Sequence, residues 1–327
     1  MATCKVCHNT SGNTSYFICE MMFGNKELFE YFQCGECGCL QIKDIPENIK
    51  QYYAGDYYSF HSPASLSDNF LKAFFKHQRA KSCFLEKNVF RKLLSKVYRP
   101  PEYFEWLKKV DVTFESEILD VGGGAGHLLV RMKKDSFQNL TGVDAFIDND
   151  IHYENGVIIL KKALTEIRKQ FDFIMLHHSF EHMHNPVYVL KELHRLLKPD
   201  RFVLIRIPVA SSYAWETFRE NWIQLDAPRP LFLHTVKSMN LLAEQTGFEL
   251  EEIVFDSTEF QFWGSEQYRR GISLRDKRSL SENRKNGNFR AFYETIKIDG
   301  FGELTSENIQ KKPKRFFRGL GIGILQF

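Results

Sequence analysis

The sequence predicts an α/β protein: a doubly wound, mostly parallel sheet with a small metal-bound domain on its amino-terminal side. Three observations predict it. The stretch EILDVGGGAGHLL, Glu117–Leu129, reads as strand, glycine turn and helix in direct succession. After it, short apolar runs alternate with segments of helical spacing, the pattern of a parallel sheet covered on both faces. Before it stand two C-x-x-C pairs, Cys4 with Cys7 and Cys34 with Cys37.

The cysteines define residues 1–45. A C-x-x-C turn places two thiolates side by side, and two such turns complete a tetrahedral zinc site. Between the pairs, YFICEMMFGNKELFEYFQC has the aromatic alternation of a short hairpin. The expectation is a zinc ribbon held by Cys4, Cys7, Cys34 and Cys37, with His8 and Cys39 near enough to substitute and Cys19 packed. The bland reading is free thiols at accidental spacing. A site with four protein ligands has no open position, so this zinc would be structural. It would also stabilise a segment too short for a core of its own.

Residues 46–101 form a connector. QYYAGDYYSFHSP is rich in tyrosine, and Asn69–Arg99 carries apolar residues at helical spacing. The polar side of that helix is basic, with Lys72, Lys76, Arg79, Lys81, Lys87, Arg91, Lys92, Lys96 and Arg99 against Glu86. It is read either as a solvated face or as a surface for phosphate or an anionic membrane. Pro100 and Pro101 end it.

Residues 102–263 carry the sheet. A helix is expected at Tyr103–Val110, with strands at Ile118–Val121, Leu140–Asp144, Val157–Leu160, Phe171–Leu176 and Phe202–Ile207. Ligands of such sheets sit at the carboxyl edges of the strands. Gly122, Gly124 and Gly126 lie on that edge, where glycine lets bare backbone N–H groups approach a ligand. Asp144 ends the second strand, placed to accept hydrogen bonds from ribose, and Phe146 is placed to cover an adenine. The G-x-G-x-G spacing departs from the G-x-G-x-x-G of redox dinucleotide sites. A tight turn without a ligand is the competing reading.

At these residues the chain resembles the class I S-adenosylmethionine-dependent methyltransferases. The matching pieces are ILDVGGGAG, the strand ending at Asp144, FDFIMLHHSFEHMHNP from Phe171 and LKELHRLLKPDRFVLIRIP from Leu190. The resemblance implies a Rossmann-like, seven-stranded sheet and S-adenosylmethionine as cofactor. It implies cofactor contacts at Asp120, Gly122, Gly124, Gly126, Asp144, Phe146 and His177, and at Ala163 or Leu164 in the loop after the third strand, with Thr165 as a further candidate there. It puts His178 on the acceptor side as a candidate general base, with Glu181 and His182 on a following helix orienting that turn. The segment WIQLDAPRPLFLHT resembles the family's acceptor-side insertion and makes Trp222 and Arg229 candidate substrate contacts. Pro230 stands where relatives commonly carry histidine, which shifts weight to His178 and His234 as catalytic candidates.

A zinc ribbon, a tyrosine-rich stretch and this domain, in that order, are similar to bacterial sugar and small-molecule methyltransferases. The resemblance makes Tyr53, Tyr57 and Tyr58, with Tyr52 beside them, candidate acceptor contacts. It implies a nucleotide-linked or lipid-linked sugar as acceptor. An RNA acceptor gripped by ribbon and basic helix is the second reading, and a non-catalytic binding module with this fold is the third.

Val236–Gly247 reads as a helix stopped by glycine, and Phe248–Phe255 and Thr258–Trp263 as the final strands. Residues 264–327 form an extension without assignable pattern, its tail basic and then apolar. It is read as a docked helix or as a contact with an anionic membrane. A net charge of +3 across 327 residues disfavours nucleic acid as the main partner. No apolar run reaches membrane-spanning length and MATCKVCHNT lacks a signal-peptide core, so a cytoplasmic protein is expected. The oligomeric state is left open.

Overall fold

The fold is described from a computed structural model. It covers residues 2–53, 74, 76–78, 80, 81, 101, 103–256, 258 and 260–281, and the backbone of 297–298, 302–303 and 320–326. The amino-terminal strands are β1 (Thr14–Cys19), β2 (Leu28–Gln33) and β3 (Leu40–Ile42), followed by a 3-10 turn at Ile49–Tyr53. Then come α1 (Tyr103–Leu107), β4 (Glu117–Val121), α2 (His127–Lys134), β5 (Asn139–Val143), β6 (Ile151–His152), β7 (Ile158–Leu160) and β8 (Phe171–His177). The chain continues through α3 (Pro186–Leu196), β9 (Leu197–Pro208), α4 (Tyr213–Phe218), β10 (Phe232–Leu233), α5 (Val236–Thr246), β11 (Glu249–Phe255) and α6 (Phe260–Arg269). A small hairpin of β12 (Lys297–Ile298) and β13 (Gly302–Glu303) precedes β14 (Leu320–Gln326).

The main sheet has eight strands in the order β11-β14-β9-β8-β4-β5-β7-β6. β4, β5, β7, β8 and β9 pair in parallel, and β14 is antiparallel to both of its neighbours. The strand beyond the expected seven is β6, a two-residue antiparallel partner of β7. Apolar side chains alternate between the two faces because side chains alternate along a strand. Ile118, Phe173, Met175 and Leu204 pack with α1 and α2. Leu119, Ile174, Leu176, Val203 and Ile205 pack with α3, α5 and the ribbon. Both faces are covered, which is why these strands read as continuous apolar runs. The helices are capped as their sequences allow: Asn185 and Thr235 accept the N–H groups of Tyr188 and Ser238, and Gly247 closes α5 at φ +79°.

The amino-terminal strands, expected as a ribbon and so labelled below, are stitched to this domain. Its sheet runs β1-β2-β3-β10, and β10 comes from the acceptor-side insertion, with Leu233 opposite Leu40 and Phe232 opposite Gln41. The buried Tyr31 hydroxyl donates to the Pro230 carbonyl at 2.8 Å.

Two expectations fail at the carboxyl-terminal side. Thr258–Trp263 is not a strand: α6 begins at Phe260. The aromatic alternation of TEFQFW mimics a strand, but over the longer window Gln261, Gly264, Ser265 and Tyr268 form one buried helical face. The place of a strand beside β9 and β11 is taken by β14, which pairs along its length with both. A boundary at residue 263 therefore cuts the sheet, and the apolar end of the tail is neither a docked helix nor a free membrane contact. Of the expected Asn69–Arg99 helix, residues 74, 76–78, 80 and 81 are helical. The rest of it, with Tyr57 and Tyr58, lies outside the described residues. Among the described residues no helix is long and apolar enough to cross a membrane.

Candidate functional site

The strand–turn–helix unit builds one wall of a cleft of about 740 Å³ at the carboxyl edge of the sheet. The Gly122 N–H donates to the Val143 carbonyl at 2.8 Å, which locks the turn to the neighbouring strand. Gly122, Gly124 and Gly126 adopt φ of +75°, +57° and +74°. A Cβ on Gly122 would stand 2.5 Å from Ser179 Cβ, and one on Gly126 would overlap Ile159. Glycine is therefore required twice over, by backbone conformation and by crowding.

Asp144 is buried, and its two carboxylate oxygens accept the N–H groups of Gly124 (2.9 Å) and Phe146 (2.8 Å). The same carboxylate that ends β5 thus shapes the glycine turn. Phe146 stands 59% exposed at the cleft rim, its ring stacked on Tyr53 at 6.1 Å between centroids. Asp120 lies at the cleft floor, 2% exposed, and its Oδ1 has no hydrogen-bond partner among the described residues. Burial, with the Asp144 charge adding to it, pushes the Asp120 carboxyl up to about 7. Ala163, Leu164 and Thr165 line the far wall, where a 3-10 turn spans Leu164–Glu166. His177 lines the cleft against Trp106, at 5.0 Å between ring centroids. Burial, with Arg206 and His178 contributing, lowers it to about 3 and keeps it neutral.

A second cavity of about 360 Å³ adjoins the cleft, and His178 and His182 line both. Beyond the His178–His182 turn, its walls come from Met22 of the ribbon, Arg206 and Pro208 at the end of β9, Ile223, Gln224, Asp226 and Pro230 of the insertion, and Phe260, Tyr268 and Leu274 from α6 and beyond. Backbone hydrogen bonds from Leu274 to Met21 (2.8 Å) and from Arg275 to Met22 (3.0 Å) hold ribbon and α6 side together.

His178 sits at φ +51°, a conformation rare for a residue with a side chain. Its N–H donates to the Arg206 carbonyl at 2.9 Å. Its Nδ1 lies 3.6 Å from Glu181 Oε1, and its Nε2 lies 3.3 Å from Arg206 Nη1. Glu181 is 2% exposed, and its Oε2 has no hydrogen-bond partner among the described residues. Burial would raise its carboxyl, but contact with His178 and the charges of His182 and His178 hold it below the ordinary range. Glu181 and His182 lie on a 3-10 turn, Phe180–His182, rather than a full helix, because Pro186 begins α3 directly afterwards. The Tyr53 hydroxyl lies 3.3 Å from His182 Nδ1.

Three expected site residues lie in the interior instead. His234 is wholly buried between Phe180 and Phe232, with Nδ1 3.2 Å from Ser238 Oγ and 3.7 Å from Cys39 Sγ. Burial lowers it to about 4, against an opposing pull from Glu181. Trp222 is wholly buried beside Trp215. Arg229 is 0% exposed and spends its donors within the protein. It binds Asp226 at 2.6 and 2.7 Å, Glu20 at 3.2 Å and the Tyr52 carbonyl at 3.1 Å. It therefore joins ribbon, connector and sheet domain and does not face either cavity. The reason is Glu20, a buried ribbon carboxylate whose charge requires a partner. Glu20 also accepts the N–H groups of Met22, Phe23, Gly24 and Asn25, shaping the loop that carries Met22 to the second cavity.

Arg206 and Met22 were outside the expected set. The signal for Arg206 is present in FVLIRIP, one charge inside an otherwise apolar strand. Nothing in the local sequence marks Met22, because its place depends on ribbon docking.

In the ribbon, the Sγ atoms of Cys4, Cys7, Cys34 and Cys37 all lie within 4.8 Å of one another, with Cys4–Cys37 at 3.6 Å and Cys7–Cys34 at 3.5 Å. Four thiolates around a tetrahedral zinc at about 2.3 Å stand roughly 3.8 Å apart, so the cluster suits that ion. The Gln41 side chain and the Val6 N–H donate to Cys4 Sγ, and the Glu36 N–H donates to Cys34 Sγ, as thiolate ligands require. Cys39 is turned away, toward His234 and the Leu40 carbonyl.

Residues 61–253 match a family model described as a methyltransferase domain. The chain is 36% identical over 72 residues to human (Homo sapiens) EEF1A lysine methyltransferase 2, covering 22% of this chain and 30% of that protein. It thus spans about a third of the length of that curated relative. Among solved structures it is similar to a mycolic acid cyclopropane synthase complexed with SAH, at 14% identity and a TM-score of 0.43, covering 84% of this chain and 99% of that one. It is also similar to a coclaurine N-methyltransferase, at 11% identity and a TM-score of 0.41, covering 78% of this chain and 81% of that one.

Proposed function

This chain belongs to the methyltransferase domain family, and on that premise we propose that it transfers a methyl group from S-adenosylmethionine to a hydroxyl of a sugar or saccharide intermediate. The observation that carries the reading is the pair of joined cavities with His178 and His182 at their boundary. One cavity suits a methyl donor and the other an acceptor, and the proton to be removed lies where they meet.

The residues of the larger cleft fit the donor. The unpartnered Asp120 Oδ1 asks for a donor group, and the methionine ammonium is one. The glycine turn leaves room that any side chain would fill. Asp144 serves the ribose, and Phe146 with Leu164 encloses the adenine between apolar faces. When bound, S-adenosylmethionine supplies a methyl group on a sulfonium, whose charge disappears in transfer. The protein's task is therefore alignment and exclusion of water. His178 Nε2 takes the proton of the acceptor hydroxyl, and Glu181 stabilises the imidazolium so formed.

The smaller cavity supports a hydroxylated ring as acceptor. Gln224, Asp226 and Thr258 offer hydrogen-bonding groups, while Tyr268 and Phe260 offer flat apolar faces. Its volume falls at the small end of the range of roughly 300–1,000 Å³ for small-molecule sites. The ribbon serves here as a zinc-held wall of the acceptor site, through Met22 and the Glu20–Arg229 pair. The test is calorimetric titration with S-adenosylmethionine of wild type and D144A, followed by methyl transfer assays on nucleotide-linked sugars. Micromolar binding weakened by D144A, with a methylated sugar as product, supports the reading. A folded protein that binds no S-adenosylmethionine refutes it.

A further inference from the structure

We infer that Arg206 is a positioning residue that parks the base: it caps His178 Nε2 in the acceptor-free protein and releases that nitrogen when an acceptor hydroxyl arrives. The inference rests on the proposed role of His178 as base.

The argument begins with hydrogen-bond chemistry. A guanidinium has donors only. Arg206 Nη1 stands 3.3 Å from His178 Nε2, so that nitrogen must present its lone pair and the ring proton must sit on Nδ1. Nδ1 faces the Glu181 carboxylate at 3.6 Å, which favours the same tautomer independently. The two neighbours agree on one protonation pattern, and it is the one a base acting through Nε2 requires. The same contact blocks that base, because its lone pair is already engaged.

The release position is also present. Arg206 Nε donates to Asp256 Oδ2 at 2.7 Å, while Asp256 Oδ1 is buried with no hydrogen-bond partner among the described residues. If the guanidinium turns from His178 toward Asp256, it gains a second carboxylate bond and becomes a bidentate pair. The loss of one bond is offset by the gain of another, so two arrangements of similar energy share one residue. The backbone does not move with it: the His178 N–H stays on the Arg206 carbonyl at 2.9 Å, and the Trp106 ring lies 5.8 Å from the guanidinium as a fixed floor. An arriving hydroxyl, itself a donor to Nε2, replaces Nη1 like for like. The base is thereby exposed only when something occupies the second cavity.

The experiment uses the full chain with ¹⁵N-labelled histidine, with His178 assigned by comparison with H178Q. Long-range ¹H–¹⁵N correlation is expected to show the His178 proton on Nδ1 in wild type. R206Q is expected to raise the Nε2-protonated fraction, which Glu181 still holds below the Nδ1 form, and to speed carbethoxylation of His178 by diethylpyrocarbonate several-fold, located by peptide mass spectrometry. R206K, which keeps a donor but not the fork, is expected to fall between. A wild-type proton on Nε2, or equal modification rates in wild type and R206Q, overturns the inference. If R206Q does not fold, the modification rate of R206K against wild type carries the comparison, and equal rates overturn the inference. Calorimetry with S-adenosylmethionine on the same samples separates the two ideas: absence of binding refutes the methyl transfer reading and leaves the tautomer result standing.

Discussion

Replacing Asp120 by asparagine is expected to stabilise the ligand-free protein, and more so as pH rises. The Asp120 carboxyl is pushed from an ordinary 3.8 up to about 7 by burial and by Asp144. Between those two values the folded state holds a proton that the unfolded state has lost, so stability falls as pH rises through the interval and levels off above about 7. Each unit is worth about 1.36 kcal/mol, so the whole shift corresponds to roughly 4 kcal/mol. From pH 5 to pH 7 the interval is two units, so D120N should gain about 3 kcal/mol on wild type between pH 5 and pH 8. Urea denaturation of both proteins at several pH values measures the difference, and subtraction removes the other titrating groups. The opposite sign is expected for ligand binding. A cationic ammonium on Oδ1 favours the charged carboxylate, so wild-type affinity for S-adenosylmethionine should weaken about tenfold per unit below pH 7, while D120N binds weakly at every pH. Parallel stability curves for the two proteins from pH 5 to pH 9 would refute the reasoning, for they would mean that Asp120 carries no buried-charge penalty.

Other outcomes follow from the same geometry. Removing one partner of the buried Glu20–Arg229 pair, as in R229M, is expected to cost about 3–5 kcal/mol in chemical denaturation, because Glu20 is left buried without its cation. A G126A variant should lose about 2–4 kcal/mol, from its φ of +74° and the overlap with Ile159, and S-adenosylmethionine affinity should fall with it. Elemental analysis should find one zinc per chain, and a strong chelator should lower the melting temperature and abolish methyl transfer. A C34S variant should behave like the chelated protein, and full activity without zinc would show that the cysteine cluster is not the ribbon's support.

β4, β5, β7, β8 and β9 were legible because each is a short apolar run bounded by polar turns, whereas the two-residue edge strand β6 carries no such mark. The cleft was legible for a related reason: Gly122, Gly124, Gly126, Asp120 and Asp144 lie close together along the chain, on adjacent strand ends. Residues whose surroundings are set by distant chain were harder to place. Arg229 has the chemistry of a substrate contact, and only the docking of the ribbon, which brings Glu20 to it, shows how its donors are used. Trp222 and His234 are functional residue types made structural by burial, and burial is a property of the whole fold. Thr258–Trp263 reads as a strand because short aromatic alternation fits both periods, whereas the chain there enters α6 at Phe260. The role of residues 320–326 was hidden because glycine and isoleucine suit a central strand, a tail or a membrane contact alike.

The position of that last strand bears on how the protein comes into being. β14 lies between β9 and β11, two strands that precede it by a long stretch of chain. During synthesis β9 and β11 leave the ribosome with facing rows of unpaired N–H and C=O groups and nothing between them. Such rows are templates for other chains. The gap closes only when residues 320–326 arrive, so the nascent protein passes through a period in which chaperone protection matters most. A fragment cut to the family match, which stops at residue 253, ends inside β11 and has no β14. It lacks the strand second from one edge of the sheet, and the bared side of β9 is then open to pairing with another copy.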